Sequence, residues 1–156
     1  MQRTLVIIKP DAVQRRLIGK IISRFEEKGF AIIGLKLMVI SEALARKNYS
    51  IHKGKDFYEK LIEFMTSGPV VVLVLRGKNV IEVTRKLIGS TFGHEAAPGT
   101  IRGDYAISDR FNLIHGTDSV ESAEKEISLF FEKENLMEYE QTDLKWIYDT
   151  SGKDII

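Results

Sequence analysis

The chain contains three histidines, His52, His94 and His115, and no cysteine. An imidazole can serve as nucleophile, general base or metal ligand near neutral pH. The lack of cysteine removes disulfides, thiolate metal sites and cysteine nucleophiles together. His115 stands apart by its setting. It lies in Asn112-Leu113-Ile114-His115-Gly116-Thr117-Asp118-Ser119, at the end of a short apolar run and just before a helix start, and Gly116 leaves room for a ligand beside the ring. A metal site would want further histidines or carboxylates at ligand spacing, and none accompanies His115. The familiar phosphate-handling signatures are missing. Gly19-Lys20, Gly54-Lys55 and Gly77-Lys78 are each followed by something other than Ser or Thr, so there is no Walker A loop. Kinase HRD and DFG motifs and a Gly-x-Ser-x-Gly elbow are also lacking. His94-Glu95-Ala96-Ala97-Pro98 opens like a zinc-protease motif without its second histidine.

Two lookalikes carry less. Lys28-Gly29-Phe30-Ala31-Ile32-Ile33-Gly34-Leu35 is similar to an RNA-recognition segment, but only Phe30 is aromatic, and such segments work by stacking bases on rings. Arg102-Gly103-Asp104 matches an adhesion tripeptide of a kind that arises often by chance.

These residues must be held by ordered elements, and the chain has the means to build them. It has 156 residues, 44% hydrophobic and 29% charged, which suits one compact domain over residues 1–156. A net charge of +1 disfavours a general nucleic-acid binder. The longest apolar run, Val70 to Leu75, is too short to span a bilayer. Met1-Gln2-Arg3 leads straight into a strand-like run, so no signal peptide is expected, and a cytoplasmic protein is the default.

Thr4 to Ile8 reads as a buried strand. Ile18, Ile21, Ile22 and Phe25 recur at helical spacing, with Gly29 placed to end that helix. Ala31 to Ile40 reads as a second strand. Ser41 to Ser67 reads as two helical pieces, the second faced by Phe57, Leu61, Phe64 and Met65. Val70 to Leu75 is a central third strand, and Val80, Val83 and Leu87 mark a helix ending near Gly89. Gly89 to Arg110 shows no period, and so long a loop is expected to be functional. Phe111 to Ile114 reads as a short strand. A last helix carries Val120, Ala123, Ile127, Phe130 and Phe131, with Asp118 and Glu121 as a capping box. This order predicts an α+β, ferredoxin-like βαββαβ sandwich, an antiparallel sheet with helices packed on it and extra helices between the second and third strands. An open α/β sheet is the alternative.

Asn112 to Asp118 closely resembles the active-site signature of nucleoside diphosphate kinases, N-x-x-H-G-[S/T]-D. Thr4 to Gln14, Ser67-Gly68-Pro69-Val70, Pro98 to Asp104 and Ser122 to Ile127 are similar to further blocks of that family, in the same order, so the likeness runs from about Thr4 to about Tyr148. The resemblance implies ping-pong transfer of a terminal phosphate from a nucleoside triphosphate to a diphosphate, through a phosphohistidine on His115. A P–N bond retains much of the anhydride's free energy, whereas a serine phosphoester would hold the group too firmly. By the same resemblance Arg85, Thr91 and Arg102 match phosphate contacts, and Arg suits them as a permanently charged planar fork. Lys9 and Asn112 match contacts to the 3′-hydroxyl and nearby phosphate. Tyr49 matches a ring beside the nucleophile, and Phe57 the residue stacked on the base. Glu126 matches the carboxylate that orients His115, and Thr117 stands where serine is commoner. The resemblance further implies Mg2+ bound through the nucleotide phosphates, broad base and sugar tolerance, and a homo-oligomer, six copies favoured over four. No nucleic acid or membrane partner is implied.

Taken singly, several of these positions admit plainer roles. Lys9 could be a solvated strand end, Arg85 an exposed helix residue, Phe57 a core residue and Thr91 a turn former. Glu124 and Glu126 sit at opposite edges of the last helix's apolar stripe, and spacing alone does not choose between them. Phe92-Gly93-His94 departs from the family's more polar stretch, and Asp109 puts an acidic group beside the expected base site. The tail from Thr150 to Ile156 carries no catalytic signal.

Overall fold

The computed structural model describes residues 1–152 and 155. Four strands, β1 (Gln2–Ile8), β2 (Ala31–Val39), β3 (Pro69–Gly77) and β4 (Ile114–Gly116), form one sheet in the order β2-β3-β1-β4. Every neighbouring pair is antiparallel. This is the ferredoxin-like arrangement, and the antiparallel pairing excludes the open parallel α/β alternative.

Successive strand residues point to opposite faces. Helices cover both faces, which is why β1 and β3 read as unbroken apolar runs. On one face Val6, Ile8, Leu73 and Leu75 pack with Ile21 and Phe25 of α2 (Ile18–Glu27) and Ile88 of α5 (Val80–Ile88). On the other, Leu5, Ile7, Val72 and Val74 meet Ile62 and Met65 of α4 (Tyr58–Met65) and Ile127 and Phe130 of α7 (Val120–Phe130). The short helices α1 (Pro10–Gln14) and α3 (Glu42–Asn48) complete the layers. An irregularity between Ile32 and Gly34 shifts the register of β2 against β3. Beyond it Leu35, Leu37 and Val39 of this edge strand face outward.

Several local expectations need correction. Within the aperiodic stretch Gly89–Arg110 lies α6 (Ile101–Tyr105), capped by Thr100 Oγ1, which accepts from the Gly103 amide at 3.0 Å. Five residues are too few to display a period. The strand expected over Phe111–Ile114 starts instead at Ile114, because Leu113 has φ +71°. His115 is therefore inside β4, not past its end. The last helix is capped by Ser119, whose Oγ accepts from Ser122 N at 3.1 Å, rather than by Asp118. Val120 there is exposed. On α5 the buried residues are Val80, Ile81, Thr84 and Ile88, while Val83 and Leu87 are only partly covered. Phe57 precedes α4 and is 49% exposed, so it is not core. Phe30 is buried, which withholds its ring from any base. Arg102 is buried and Asp104 is paired with Arg24, so the Arg-Gly-Asp tripeptide is no exposed loop.

The chain after α7 runs back over the sheet. Met137 N donates to Ile33 O at 2.7 Å, Arg76 pairs with Glu138, and α8 (Leu144–Ile147) follows. No helix among the described residues is long and apolar enough to cross a membrane.

Candidate active site

The middle strand β1 organises the site. On β4, its antiparallel neighbour, His115 sits opposite Ile7. At the end of β1 the chain turns into α1, with Lys9 at the N-cap and Pro10 opening the helix, where its missing N–H costs nothing. Lys9 and His115 therefore emerge at the same end of the sheet.

His115 Nε2 lies 2.7 Å from Glu126 Oε2. Both side chains are mostly buried, 22% and 14% exposed. The carboxylate accepts, so in the neutral ring Nε2 carries the proton and the lone pair sits on Nδ1. Glu124, the other candidate, points away and binds Arg3 at 2.6 Å. Thr117 Oγ1 is 3.0 Å from the Leu5 carbonyl and 3.2 Å from Glu126 Oε2, and its one proton serves these two acceptors. The Tyr49 ring meets the imidazole edge-on, centroids 5.6 Å apart. The buried Tyr49 hydroxyl is pushed well above the usual phenol range, first by burial and then by the charge of Glu126.

The cations converge beside the histidine. Lys9 Nζ donates to Asn112 Oδ1 at 2.6 Å. Asn112 Nδ2 in turn donates to the Thr91 carbonyl at 2.9 Å, so Thr91 enters through its backbone while its side chain stays exposed. Arg102 is 4% exposed. Its guanidinium reaches the carbonyls of Asn112 (3.1 Å), Gly89 (3.2 Å), Ser90 (3.3 Å) and Ile114 (2.7 Å). Arg85, exposed on α5, donates to Gly116 O at 3.2 Å. Burial, and then the charge of Arg102, lower the Lys9 ammonium to about 8, with Asp11 opposing the shift. Burial, and then the charge of Arg85, bring Arg102 to about 10, still cationic at neutral pH. Lys9, Arg85 and Arg102 together place positive charge beside the imidazole, which suits an anion.

Phe57 lies further out. Its ring is 5.3 Å from that of His52, which stacks at 6.4 Å on Tyr49. An aromatic path thus runs from His115 through Tyr49 and His52 to an exposed phenyl face. His52 is held below the usual imidazole range by burial, by Lys55 and by His115. His94 belongs to a separate surface pair, its Nδ1 2.8 Å from Asp109 Oδ1, with Phe92 stacked on its ring. No group of three or more His, Cys, Asp or Glu side chains suited to a metal occurs among the described residues.

Asp11 was not singled out by spacing. Its Oδ2 accepts from the Leu113 amide at 3.1 Å, across 102 residues of chain. No local signal reveals such a contact, although Asp11 stands in the same N-terminal block as Lys9.

The family profile described as nucleoside diphosphate kinase matches residues 2–136. A nucleoside diphosphate kinase of Roseiflexus sp. is 55% identical over 149 residues, 96% of this chain and 100% of that protein. One from Bacillus cereus is 48% identical over 148 residues, 95% of this chain and all of that one. Among solved structures, a halophilic nucleoside diphosphate kinase from Halobacterium salinarum in complex with CDP superposes with TM-score 0.93 at 44% identity, covering 95% of this chain and 99% of that chain.

Proposed function

The chain belongs to the nucleoside diphosphate kinase family and moves phosphate between nucleotides, and from that premise we propose that His115 carries the phosphate in transit. The observation that carries this reading is the hydrogen bond from His115 Nε2 to Glu126, beside Lys9, Arg85 and Arg102. With Nε2 held, the Nδ1 lone pair attacks the terminal phosphorus of a nucleoside triphosphate. The P–N bond forms, the bridging P–O bond breaks, and the electron pair leaves with the diphosphate. Glu126 supports the positive charge that the ring acquires. In the second half-reaction the terminal oxygen of another diphosphate attacks the same phosphorus and displaces the imidazole. Donor and acceptor bonds are alike, so the exchange is near balance.

We assign the remaining roles by family resemblance. Arg85, Arg102 and Thr91 flank the phosphates, and phosphoryl transfer asks mainly for positioning and charge. Lys9 and Asn112 hold the 3′-hydroxyl and nearby phosphate, Tyr49 walls the imidazole, Thr117 steadies Glu126, and Phe57 stacks on the base. A π-face is common to all bases, which supports broad tolerance. Mg2+ is the expected ion. The lack of a carboxylate or histidine cluster among the described residues fits an ion carried on the nucleotide's own phosphates, where it neutralises their charge. We take residues 1–156 as one domain, working in the cytoplasm as a homo-oligomer, with six copies favoured. The outward Leu35, Leu37 and Val39 on an edge strand support association.

The test is direct. Incubated with γ-labelled ATP and freed of nucleotide, the wild-type protein should carry acid-labile, base-stable label that a nucleoside diphosphate removes. His115→Ala should keep its fold and bind nucleotide but take no label. Label on that variant would refute the assignment.

A further inference from the structure

Leu113 is a bulky, fully buried residue at φ +71°. Side chains other than glycine rarely adopt this conformation, and a leucine there is an outlier. The turn is tight as well. Ile114 N donates to Asn112 O at 2.8 Å, an i to i+2 bond that closes a γ-turn in its strained, positive-φ form. Strain of this kind persists only where the surroundings over-determine it, and it collects at functional sites.

The surroundings here can be named. The Leu113 carbonyl accepts from Lys9 N at 2.8 Å, and the Leu113 amide donates to Asp11 Oδ2 at 3.1 Å. Both backbone groups of the strained residue are thus held by the β1–α1 junction. On either side of it the Asn112 and Ile114 carbonyls are held by Arg102. Of these holds, only the Asp11 bond reaches the Leu113 amide. Asp11 Oδ1 is buried with no hydrogen-bond partner among the described residues. Burial pushes the Asp11 carboxyl up, while the Leu113 amide and Lys9 hold it down. Burying a carboxylate in such a place costs stability, and the bond to the Leu113 amide offsets part of that cost.

We propose that Asp11 is a positioning residue, whose carboxylate clamps the strained turn at Leu113 and thereby sets Asn112 against Lys9 and His115 against the incoming phosphate. If the clamp is released, φ of Leu113 relaxes and β4 loses the turn that fixes its start. The inference rests on reading His115 as the nucleophile, and it assigns the acceptor oxygen of Asp11, not its charge, as the working group.

The experiment compares Asp11→Leu, similar in size but without an acceptor, and Asp11→Asn, which keeps one. Steady-state kcat and KM are measured with single-turnover labelling of the protein and a thermal melt. Asp11→Leu should lose at least thirtyfold in kcat, with KM within about threefold and the melt still cooperative. Asp11→Asn should stay within about threefold of wild type in kcat. Wild-type kcat in Asp11→Leu overturns the proposal, and so does equal damage in both variants, because the charge would then be the working group. Should Asp11→Leu not fold, the crystal structure of Asp11→Asn decides. Its amide oxygen must face the Leu113 N–H with φ still positive; an active variant whose side chain has turned away, or failure of Asp11→Asn to fold, overturns the clamp. Failure of the His115 reading looks different, since wild-type protein itself would then take no label.

Discussion

At His115 one hydrogen bond decides what the other ring nitrogen can do, and the three neighbouring cations decide what it meets. Lys9 gives this a pH signature. Its folded value is about 8 against an ordinary 10.5, with burial the main cause. The charge is lost as pH rises through 8, so kcat/KM should decline above that point, and a flat profile to pH 10 would remove Lys9 from phosphate binding. The stability sign is the opposite. Between 8 and 10.5 the unfolded chain binds the extra proton, so this group makes stability rise with pH across that window, and Lys9→Gln should abolish that rise in denaturant titrations at each pH. The arginines should separate in a second pair of measurements. Arg85→Ala should lower kcat/KM by about 2–4 kcal/mol of transition-state binding and leave the melt unchanged. Arg102→Ala should lose as much activity and also stability, on the order of 4 kcal/mol at about 1 kcal/mol per net bond, because it joins four carbonyls. Equal melts for the two variants would contradict the bracing role. Motif likeness pointed to Lys9, Arg102 and Glu126, whereas the carbonyls that Arg102 binds sit 10 to 13 residues away in aperiodic chain, and the Asp11 contact spans 102 residues, so neither leaves a local imprint.

At the scale of elements, the segment between α3 and α4 places Phe57 outside the core and half-exposed, with the Lys55 ammonium 5.7 Å from its ring centroid. Phe57→Ala should weaken every nucleotide by about 1–3 kcal/mol and narrow the gap between purines and pyrimidines. By family resemblance Asp109 is the acidic group expected beside the base, and His94 already occupies one of its oxygens. The four triphosphates should therefore differ by less than about a hundredfold in kcat/KM, and a larger gap that Asp109→Ala removes would reveal a base-edge contact. The strands were legible because β1 and β3 are buried on both faces and leave continuous apolar runs. The errors have physical reasons too. A five-residue helix shows no period, as in α6, and a start set by a strained dihedral, as in β4, leaves no compositional trace. The apolar Phe57 matched a helical spacing that the chain had not yet entered. Ser119 outcompeted Asp118 as cap because the helix begins one residue later.

Past Ile33, whose carbonyl accepts from Met137 N, β2 presents Leu35, Leu37 and Val39 outward at 54%, 65% and 62% exposure among the described residues. Leu37→Glu should shift the sedimentation of a multi-copy assembly to smaller species while a dilute monomer keeps its melt, and an unchanged sedimentation profile would place the contact elsewhere. The stitching of β1 to β4 has a different consequence, in time. Lys9 meets Asn112 across 103 residues, and Thr117 meets Leu5 across 112. Such distant closures make folding slow relative to helical proteins of this size. A nascent chain can pair β1 with β3 once Gly77 has left the ribosome, yet it has no nucleophile until His115 follows. In that interval the far side of β1 is an open apolar edge, Leu5 to Ile8, ready to accept a strand from any neighbour. A stalled or truncated product ending before Ile114 should for that reason aggregate more readily than the finished chain, because one edge of one strand stays open until three residues arrive to close it.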